Sequence, residues 1–243
     1  MDPSVIVIAV AGVVGGTVAA VAGFGIGSLL TPVLAVETGT KVAVALVALP
    51  HLVATASRLW LLRRHVDRVV LRTFGLASAG GGLVGALVHA AISSPVLAVI
   101  LGILLVVAGV SALFDAGARL ALHGRWAIVG GILSGAFGGL VGNQGGIRSA
   151  ALLPYRLEGT AFVATATASA LLVDLVRVPV YVVSSGREIA EAWPLVALMT
   201  VAVLVGTFAG APILRRMPEP VFRRVVAGLI VALGLGLIAG IAG

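Results

Sequence analysis

Cysteine is absent from this 243-residue chain, and charged side chains are scarce. Without cysteine, neither disulfides nor thiol chemistry is available. Only 10% of the residues are charged and no long polar stretch interrupts the apolar ones, so the sequence shows no soluble domain. The opening residues Met1-Asp2-Pro3 also lack the positive n-region of a cleavable signal, and we expect the first apolar segment to be retained.

The chain also lacks the residue patterns of common enzyme sites. The apolar segments hold no paired carboxylates and no histidines at metal-binding spacing, and the glycine-rich stretches lack the Lys-Ser/Thr of a nucleotide-binding loop. We therefore predict no enzymatic activity, no cofactor and no ATP use within this chain. The net charge of +7 does not indicate nucleic acid, because the arginines lie in short turns between apolar segments, where they orient a membrane protein.

Apolar residues make up 60% of the chain and fall into long segments, several of which approach or exceed the roughly 20 residues that a membrane-crossing helix needs. The sequence thus predicts an all-α polytopic membrane protein. Its eight segments run from Ser4 to Val36, Val42 to Leu62, Val69 to Ile92, Val96 to Phe114, Trp126 to Leu157, Thr160 to Val183, Ala192 to Leu214 and Val221 to Ile241.

Two of these segments carry a glycine-rich interruption. Segment one contains Gly23-Phe24-Gly25-Ile26-Gly27-Ser28 and runs on to Pro32, and segment five contains Gly142-Asn143-Gln144-Gly145-Gly146-Ile147-Arg148 and leads to Pro154. Glycine at this density breaks a helix. In lipid a broken helix is tolerated only where protein or a water-filled cavity covers its backbone. Matching breaks in two halves therefore indicate the binding site of a transporter.

The two halves correspond in further places. Ala54-Thr55-Ala56-Ser57 recurs as Ala166-Thr167-Ala168-Ser169, and Leu83-Val84-Gly85 recurs as Leu204-Val205-Gly206. The shared order of these matches predicts two four-segment repeats, residues 1–120 and 121–243, which together form one membrane domain.

Charge in the turns predicts that the repeats are inverted. In the first half the turn after segment two is basic and the turn after segment three is uncharged. In the second half the turn after segment six holds Arg187, Glu188 and Glu191, and the turn after segment seven is basic. The basic residues are Arg63, Arg64, Arg68 and Arg72 in the first half and Arg215, Arg216, Arg223 and Arg224 in the second. If basic turns stay cytoplasmic, equivalent turns lie on opposite sides. Inversion needs an odd number of crossings per repeat, so we expect segments one and five to be re-entrant or strongly broken and to meet near the membrane midplane. The alternative is eight simple spans with one turn that violates the charge rule.

At these residues the chain resembles the TauE/SafE sulfite exporter family. The resemblance covers nearly the whole chain and is carried by Ala22 to Leu34 and by Gly131 to Pro154. It implies a secondary carrier in the cytoplasmic membrane that exports or imports a small sulfur-containing anion, such as sulfite or an organosulfonate. The family pattern at each break is closer to an uninterrupted glycine run. This chain departs from it at Phe24 and Ile26 and, in the second break, at Asn143, Gln144 and Arg148.

Arg148 is the first candidate for binding the anion, since it follows Gly145 and Gly146 where a half-helix is expected to begin. A helix start offers unpaired N–H groups and partial positive charge, and a guanidinium adds forked donors. A charged side chain within the bilayer usually has a function, and we take this interpretation for Arg148. The alternative is that Arg148 snorkels to the surface or pairs with a carboxylate. Neighbouring groups complete the predicted substrate site: Asn143, Gln144, the backbone of Gly145 and Gly146, Gly25, Gly27 and Ser28. Ser28 could equally cap its half-helix.

Asp174 and Arg177 lie three residues apart in segment six and so share a helix face. They form either an internal ion pair or a site in which Arg177 faces the anion and Asp174 holds it or carries a coupling proton. Arg58 in segment two is a ligand only if it points inward, and otherwise snorkels. His51 could titrate near neutral pH and couple protons, or be structural.

The sequence therefore predicts a secondary transporter that binds a small anion between the two breaks and alternates its access. An anion channel would share the site without a coupling group, and a non-transporting membrane enzyme or receptor subunit is the alternative from another class. The direction of transport, the coupling ion and assembly into a homo-oligomer stay open.

Overall fold

The computed structural model describes residues 3–114, 125–157, 159–210, 212 and 218–240, and these residues are almost entirely helical. We number ten helices in chain order. They are α1 Pro3–Ala22, α2 Ile26–Thr38, α3 Thr40–Leu62, α4 Arg68–Ala91, α5 Ser94–Leu113, α6 Arg125–Val141, α7 Gly145–Leu152, α8 Gly159–Glu191, α9 Trp193–Gly210 and α10 Glu219–Ile238. Leu71–Gly75 in α4 and Gly206–Gly210 in α9 are π-helical turns.

Seven of these helices are long and apolar enough to cross a membrane, namely all except α2, α6 and α7. Large apolar side chains remain exposed along them, for example Val107, Val183 and Val201. A soluble monomer rarely leaves so much apolar surface uncovered, whereas lipid covers it in a bilayer. The expected multi-pass α-helical membrane protein is confirmed.

Segments one and five are each divided into two helices at the glycine-rich interruptions. Helix α1 ends at Ala22 and α2 begins at Ile26, while α6 ends at Val141 and α7 begins at Gly145. Gly23 and Gly142 end their helices with φ angles of 77° and 72°, in the left-handed region that favours glycine. Segment five therefore contains no helix of full spanning length among its described residues: α6 is 17 residues long and α7 is 8.

The first helix of each half packs along the third segment of the other half. Helix α1 meets α9 where Gly16 lies on the Val203 carbonyl, and Gly206 lies on the carbonyl of Val13. Helix α6 meets α4 in the same way, with Gly81 on the Ile132 carbonyl. A methyl group at any of these three glycines would overlap the facing backbone. Small residues thus allow the close helix contacts on which membrane proteins rely.

Equivalent segments of the two halves pair antiparallel. Gly102 of α5 lies beside Gly234 of α10, whereas Gly109, later in α5, lies beside Ala227, earlier in α10. Helices α3 and α8 behave alike: His51 contacts Asp174, and Asp67, beyond the end of α3, bonds through its N–H to Thr165, earlier in α8. Segments two and six therefore run in opposite directions, as do segments four and eight.

Two details of the sequence interpretation differ from the structure. Segment six does not end near Val183, because α8 continues to Glu191 through a kink at Ser185, so Arg187 and Glu188 lie on a helix rather than in a turn. Arg187 and Glu191 form an exposed ion pair one helical turn apart, which favours the continued helix. Arg215 and Arg216 lie outside the described residues.

Candidate functional site

The two glycine-rich breaks lie against each other. A Cβ atom on Gly27 would collide with the Gly142 carbonyl, and one on Gly145 would collide with the Phe24 side chain. The Ser28 hydroxyl donates to Asn143 Oδ1 at 3.2 Å. The contact between the breaks that the sequence predicts is therefore present, and it brings Gly27, Ser28, Asn143 and Gly145 together.

Both half-helices begin at this junction. Gly25 precedes α2 and Gln144 precedes α7, and neither helix start has a side-chain cap. The first amides of a helix have no acceptor within it, and the aligned peptide dipoles leave partial positive charge there. Two such starts at one junction create an environment that attracts an anion.

Arg148 lies in the first turn of α7 and reaches across to the other break. Its side chain is 3% exposed, and its Nη2 donates to the carbonyl of Gly23 at 2.8 Å. Its Nε and Nη1 are buried without a hydrogen-bond partner among the described residues. A buried guanidinium with unpaired donors is costly, so these two nitrogens are suited to an anionic ligand. Neither snorkelling nor pairing of Arg148 with a carboxylate is seen in the described part of the chain.

Further polar atoms beside the second break have no hydrogen-bond partner among the residues described. They include Gln144 Oε1, whose side chain packs against Gly138, and Thr31 Oγ1, which lies close to Gly142. Thr31 is fully buried and Gln144 is 6% exposed. The second break is thus lined by polar groups that could orient a small ligand with both donor and acceptor atoms.

Asp174, Arg177 and His51 form a buried network beside α6. The guanidinium of Arg177 donates through Nε to Asp174 Oδ1 at 2.9 Å, and its Nη2 lies 2.8 Å from the same oxygen. The remaining nitrogen, Nη1, donates to the Gly138 carbonyl at 2.8 Å, and His51 Nδ1 lies 2.7 Å from Asp174 Oδ2. All three nitrogens of Arg177 are occupied, so this geometry favours the internal ion pair of the two alternatives.

Arg58 occupies the corresponding position in the first half. It is 7% exposed and donates through Nη1 to the carbonyl of Ala19, just as Arg177 donates to that of Gly138. The same number of positions separates Arg58 from Arg177 as separates Gly23 from Gly142. Arg58 therefore points inward and does not snorkel. Aligned in this way, Thr55 matches Asp174, so the Ala-Thr-Ala-Ser recurrence does not mark equivalent positions.

Two residues that the sequence interpretation did not select complete the end of α6. The Tyr181 hydroxyl donates to the Gly139 carbonyl, and His89 Nδ1 lies 2.7 Å from the Leu140 carbonyl. Their rings lie 4.8 Å apart. Together with Arg177 they contact three successive carbonyls at the end of α6, where a helix leaves its last carbonyls without partners inside it. The Gly138 carbonyl also accepts from the Gly142 N–H. A tyrosine and a histidine in two different apolar segments gave no local signal for this shared role.

The described residues contain no group of three or more His, Cys, Asp or Glu side chains that could hold a metal ion. The polar atoms at the junction are instead those of arginine, amides, hydroxyls and helix starts. This donor set suits a small oxyanion better than a cation.

The family model described as sulfite exporter TauE/SafE matches residues 8–237, which is nearly the whole chain. No curated protein and no solved structure matches.

Proposed function

Since the chain belongs to the TauE/SafE sulfite exporter family, a family of membrane transporters, we propose that it is a secondary transporter which moves sulfite or an organosulfonate across the cytoplasmic membrane. The family supports a small sulfur-containing anion as the class of substrate. The buried junction of the two breaks supports a binding site within the membrane rather than at its surface.

We propose that the anion binds between the N-termini of α2 and α7. The observation that carries this proposal is Arg148, whose Nε and Nη1 are buried without a partner in the described chain, beside a helix start. Gly145 and Gly146 offer backbone N–H groups, while Asn143, Gln144 and Ser28 offer neutral polar groups around the ligand. Gly27 lets the first break approach the Gly142 carbonyl closely enough to share it, and Gly25 lets the chain turn back against Val18 of α1.

The two halves act, in this proposal, as inverted repeats that rock about the shared site. The antiparallel pairing of α3 with α8 and of α5 with α10 supports inversion, because equivalent segments of inverted repeats run in opposite directions. The equivalent roles of Arg58 and Arg177 at the ends of α1 and α6 support the two repeats, residues 1–120 and 121–243. During alternating access the two halves then exchange their conformations, so that the shared site opens first to one side of the membrane and then to the other.

In this proposal the ion pair between Arg177 and Asp174 is structural, and His51 is the protonatable residue joined to it. Arg177 anchors the end of α6, while Asp174 joins it to His51, whose side chain is 14% exposed. A coupling proton would reside at the His51–Asp174 contact, since it links a titratable ring on α3 to a carboxylate on α8. An anion channel would need no such contact.

Reconstitution into vesicles tests the proposed transport directly. Vesicles loaded with unlabelled sulfoacetate should take up radiolabelled sulfoacetate faster than empty vesicles, and the rate should saturate with concentration. Arg148→Gln should abolish this exchange, whereas Ser93→Ala, in the exposed turn between α4 and α5, should retain it. Flux that neither saturates nor responds to internal anion would indicate a channel. Chemical conversion without movement across the bilayer would indicate an enzyme.

A further inference from the structure

A cavity of about 480 Å³ opens between the ends of α1, α3 and α9 and the start of α8. Its wall includes Arg58, Leu62, Thr160, Val163, Thr207 and Phe208. Arg58 is the one charged side chain among the described residues that form this wall, and no carboxylate lines it there. The cavity thus combines apolar walls with a single positive charge.

Arg58 has donor capacity left for a ligand. Its side chain is 7% exposed and one nitrogen, Nη1, is bound to the Ala19 carbonyl. Nε is buried and has no partner in the described chain. An arginine in a cavity with low-dielectric walls concentrates anions, because the charge is weakly screened there.

The cavity lies at the basic end of the molecule. The chain leaves α3 directly after Leu62 into Arg63 and Arg64, which are exposed, and α4 begins nearby at Arg68. Basic turns favour the cytoplasmic side of a membrane protein. An anion that approaches from this side meets surface arginines first and Arg58 next.

The corresponding place in the second half is filled. Counting along the chain as from Arg58 to Arg177, Leu62 of the cavity corresponds to Tyr181, and Ala20 and Val21 of its wall correspond to Gly139 and Leu140. Tyr181 is 1% exposed and its hydroxyl is bound to the Gly139 carbonyl. His89 is fully buried beside it and bonds to Leu140. Two bulky rings thus cover the end of α6, whereas the end of α1 borders the open cavity.

We propose that the Arg58 cavity is the vestibule through which the anion reaches the Arg148 site from the basic face, with Arg58 as its charged contact inside the cavity. Tyr181 and His89 close the equivalent route on the opposite face. The structure is then the state open at Arg58, and opening the other route requires the Tyr181 hydroxyl to leave the Gly139 carbonyl. This inference rests on the proposed anion transport.

The absence of native cysteine makes single-cysteine labelling a direct test. Val163→Cys places a thiol in the cavity, and Ser93→Cys places one in an exposed turn as the reference for intrinsic reactivity. Each variant is treated with an anionic sulfonatoethyl thiosulfonate and with its cationic trimethylammonioethyl analogue. Relative to Ser93→Cys, Val163→Cys should prefer the anionic reagent by about tenfold, the lower end of the enrichment that a charged cleft gives.

Arg58→Gln in the Val163→Cys background should remove this preference, while Arg58→Lys should keep most of it, since lysine retains the charge. Both variants are first checked for a single monodisperse peak and for thermal unfolding, so that a misfolded protein is recognised. The vestibule proposal would be overturned if the Val163→Cys thiol did not react in the folded protein. It would also be overturned if a folded Arg58→Gln variant kept the reagent preference unchanged.

Added sulfoacetate should slow labelling of Val163→Cys by the anionic reagent and leave Ser93→Cys unaffected. Sulfoacetate serves as the probe because sulfite itself cleaves thiosulfonates. The two proposals fail separately. If wild-type vesicles exchange sulfoacetate but the anion does not protect Val163→Cys, the vestibule is wrong and the transport stands. If the Arg58-dependent preference is present but wild-type vesicles exchange no sulfoacetate, sulfite or sulfate, the vestibule's charge is real and the proposed function is wrong.

Discussion

The contact between the two breaks can be tested with a pair of glycines at corresponding positions. Gly27 and Gly146 are the second residues of α2 and α7. A Cβ on Gly27 would overlap the Gly142 carbonyl, which is backbone and cannot rotate away. A Cβ on Gly146 would lie 3.6 Å from Ala108 Cβ, an ordinary contact. The same change, Gly→Ala, should therefore have opposite consequences at the two sites.

Overpacking of this kind costs about 1–3 kcal/mol. For a chain of this size that lowers Tm by roughly 2–12 °C. Gly146→Ala should leave Tm unchanged or raise it slightly, because alanine loses less backbone entropy in a helix than glycine does. Thermal unfolding of the two variants in the same detergent measures the difference.

Transport provides the second readout of this pair. Because Gly27→Ala separates the half-helix starts, anion exchange in vesicles should fall by up to about a hundredfold, the loss that a misplacement near 1 Å can produce at a functional site. Equal stability and equal exchange for the two variants would refute the reasoning, since the breaks would then not touch as described.

Three further predictions concern the helix contacts and the ion pair. Asp174→Asn leaves the buried Arg177 without its counter-charge, so the free energy of unfolding should fall by about 3–5 kcal/mol. Denaturation or the yield of folded protein measures this loss, and an unchanged yield and Tm would contradict the stabilising role of the ion pair. His51→Gln should abolish accumulation of sulfoacetate driven by an imposed pH gradient but retain sulfoacetate exchange, and a gradient response that persists would remove His51 from coupling. Gly81→Ala should destabilise the α4–α6 contact, whereas Gly80→Ala, which meets nothing described within 4 Å, should be neutral in the same thermal assay.

The positions of the breaks were predictable because glycine acts locally. A run such as Gly142 to Gly146 has low helix propensity, and Gly142 adopts a φ of 72° that favours glycine. Local propensity is not sufficient by itself, because Gly80, Gly81 and Gly82 remain helical within α4. The pairing of Asp174 with Arg177 was equally local, because residues three apart share a helix face.

Other features depend on contacts that the sequence does not display. Arg58, Arg148 and Arg177 are all buried arginines in apolar segments. Only the structure distinguishes the fully bonded Arg177 from the two arginines that have nitrogens without a partner among the described residues. The alignment of the halves was obscured because Ala, Val, Leu and Gly recur everywhere, so short matches arise by composition. The helical run to Glu191 was missed because a hydropathy boundary marks the end of an apolar stretch and not the end of a helix.

Thermal stabilisation of the purified protein by anions tests the central claim, that Arg148 holds a small anion at the junction of the breaks. A ligand that binds only the folded state raises Tm by mass action. At 100 times its Kd the ligand increases the free energy of unfolding by about 2.7 kcal/mol. Sulfite or sulfoacetate should raise the Tm of the wild-type protein, should raise that of Arg148→Lys less, and should leave that of Arg148→Gln unchanged, with chloride at equal ionic strength as the control. Equal stabilisation of wild-type protein and Arg148→Gln by the same anion would contradict the account.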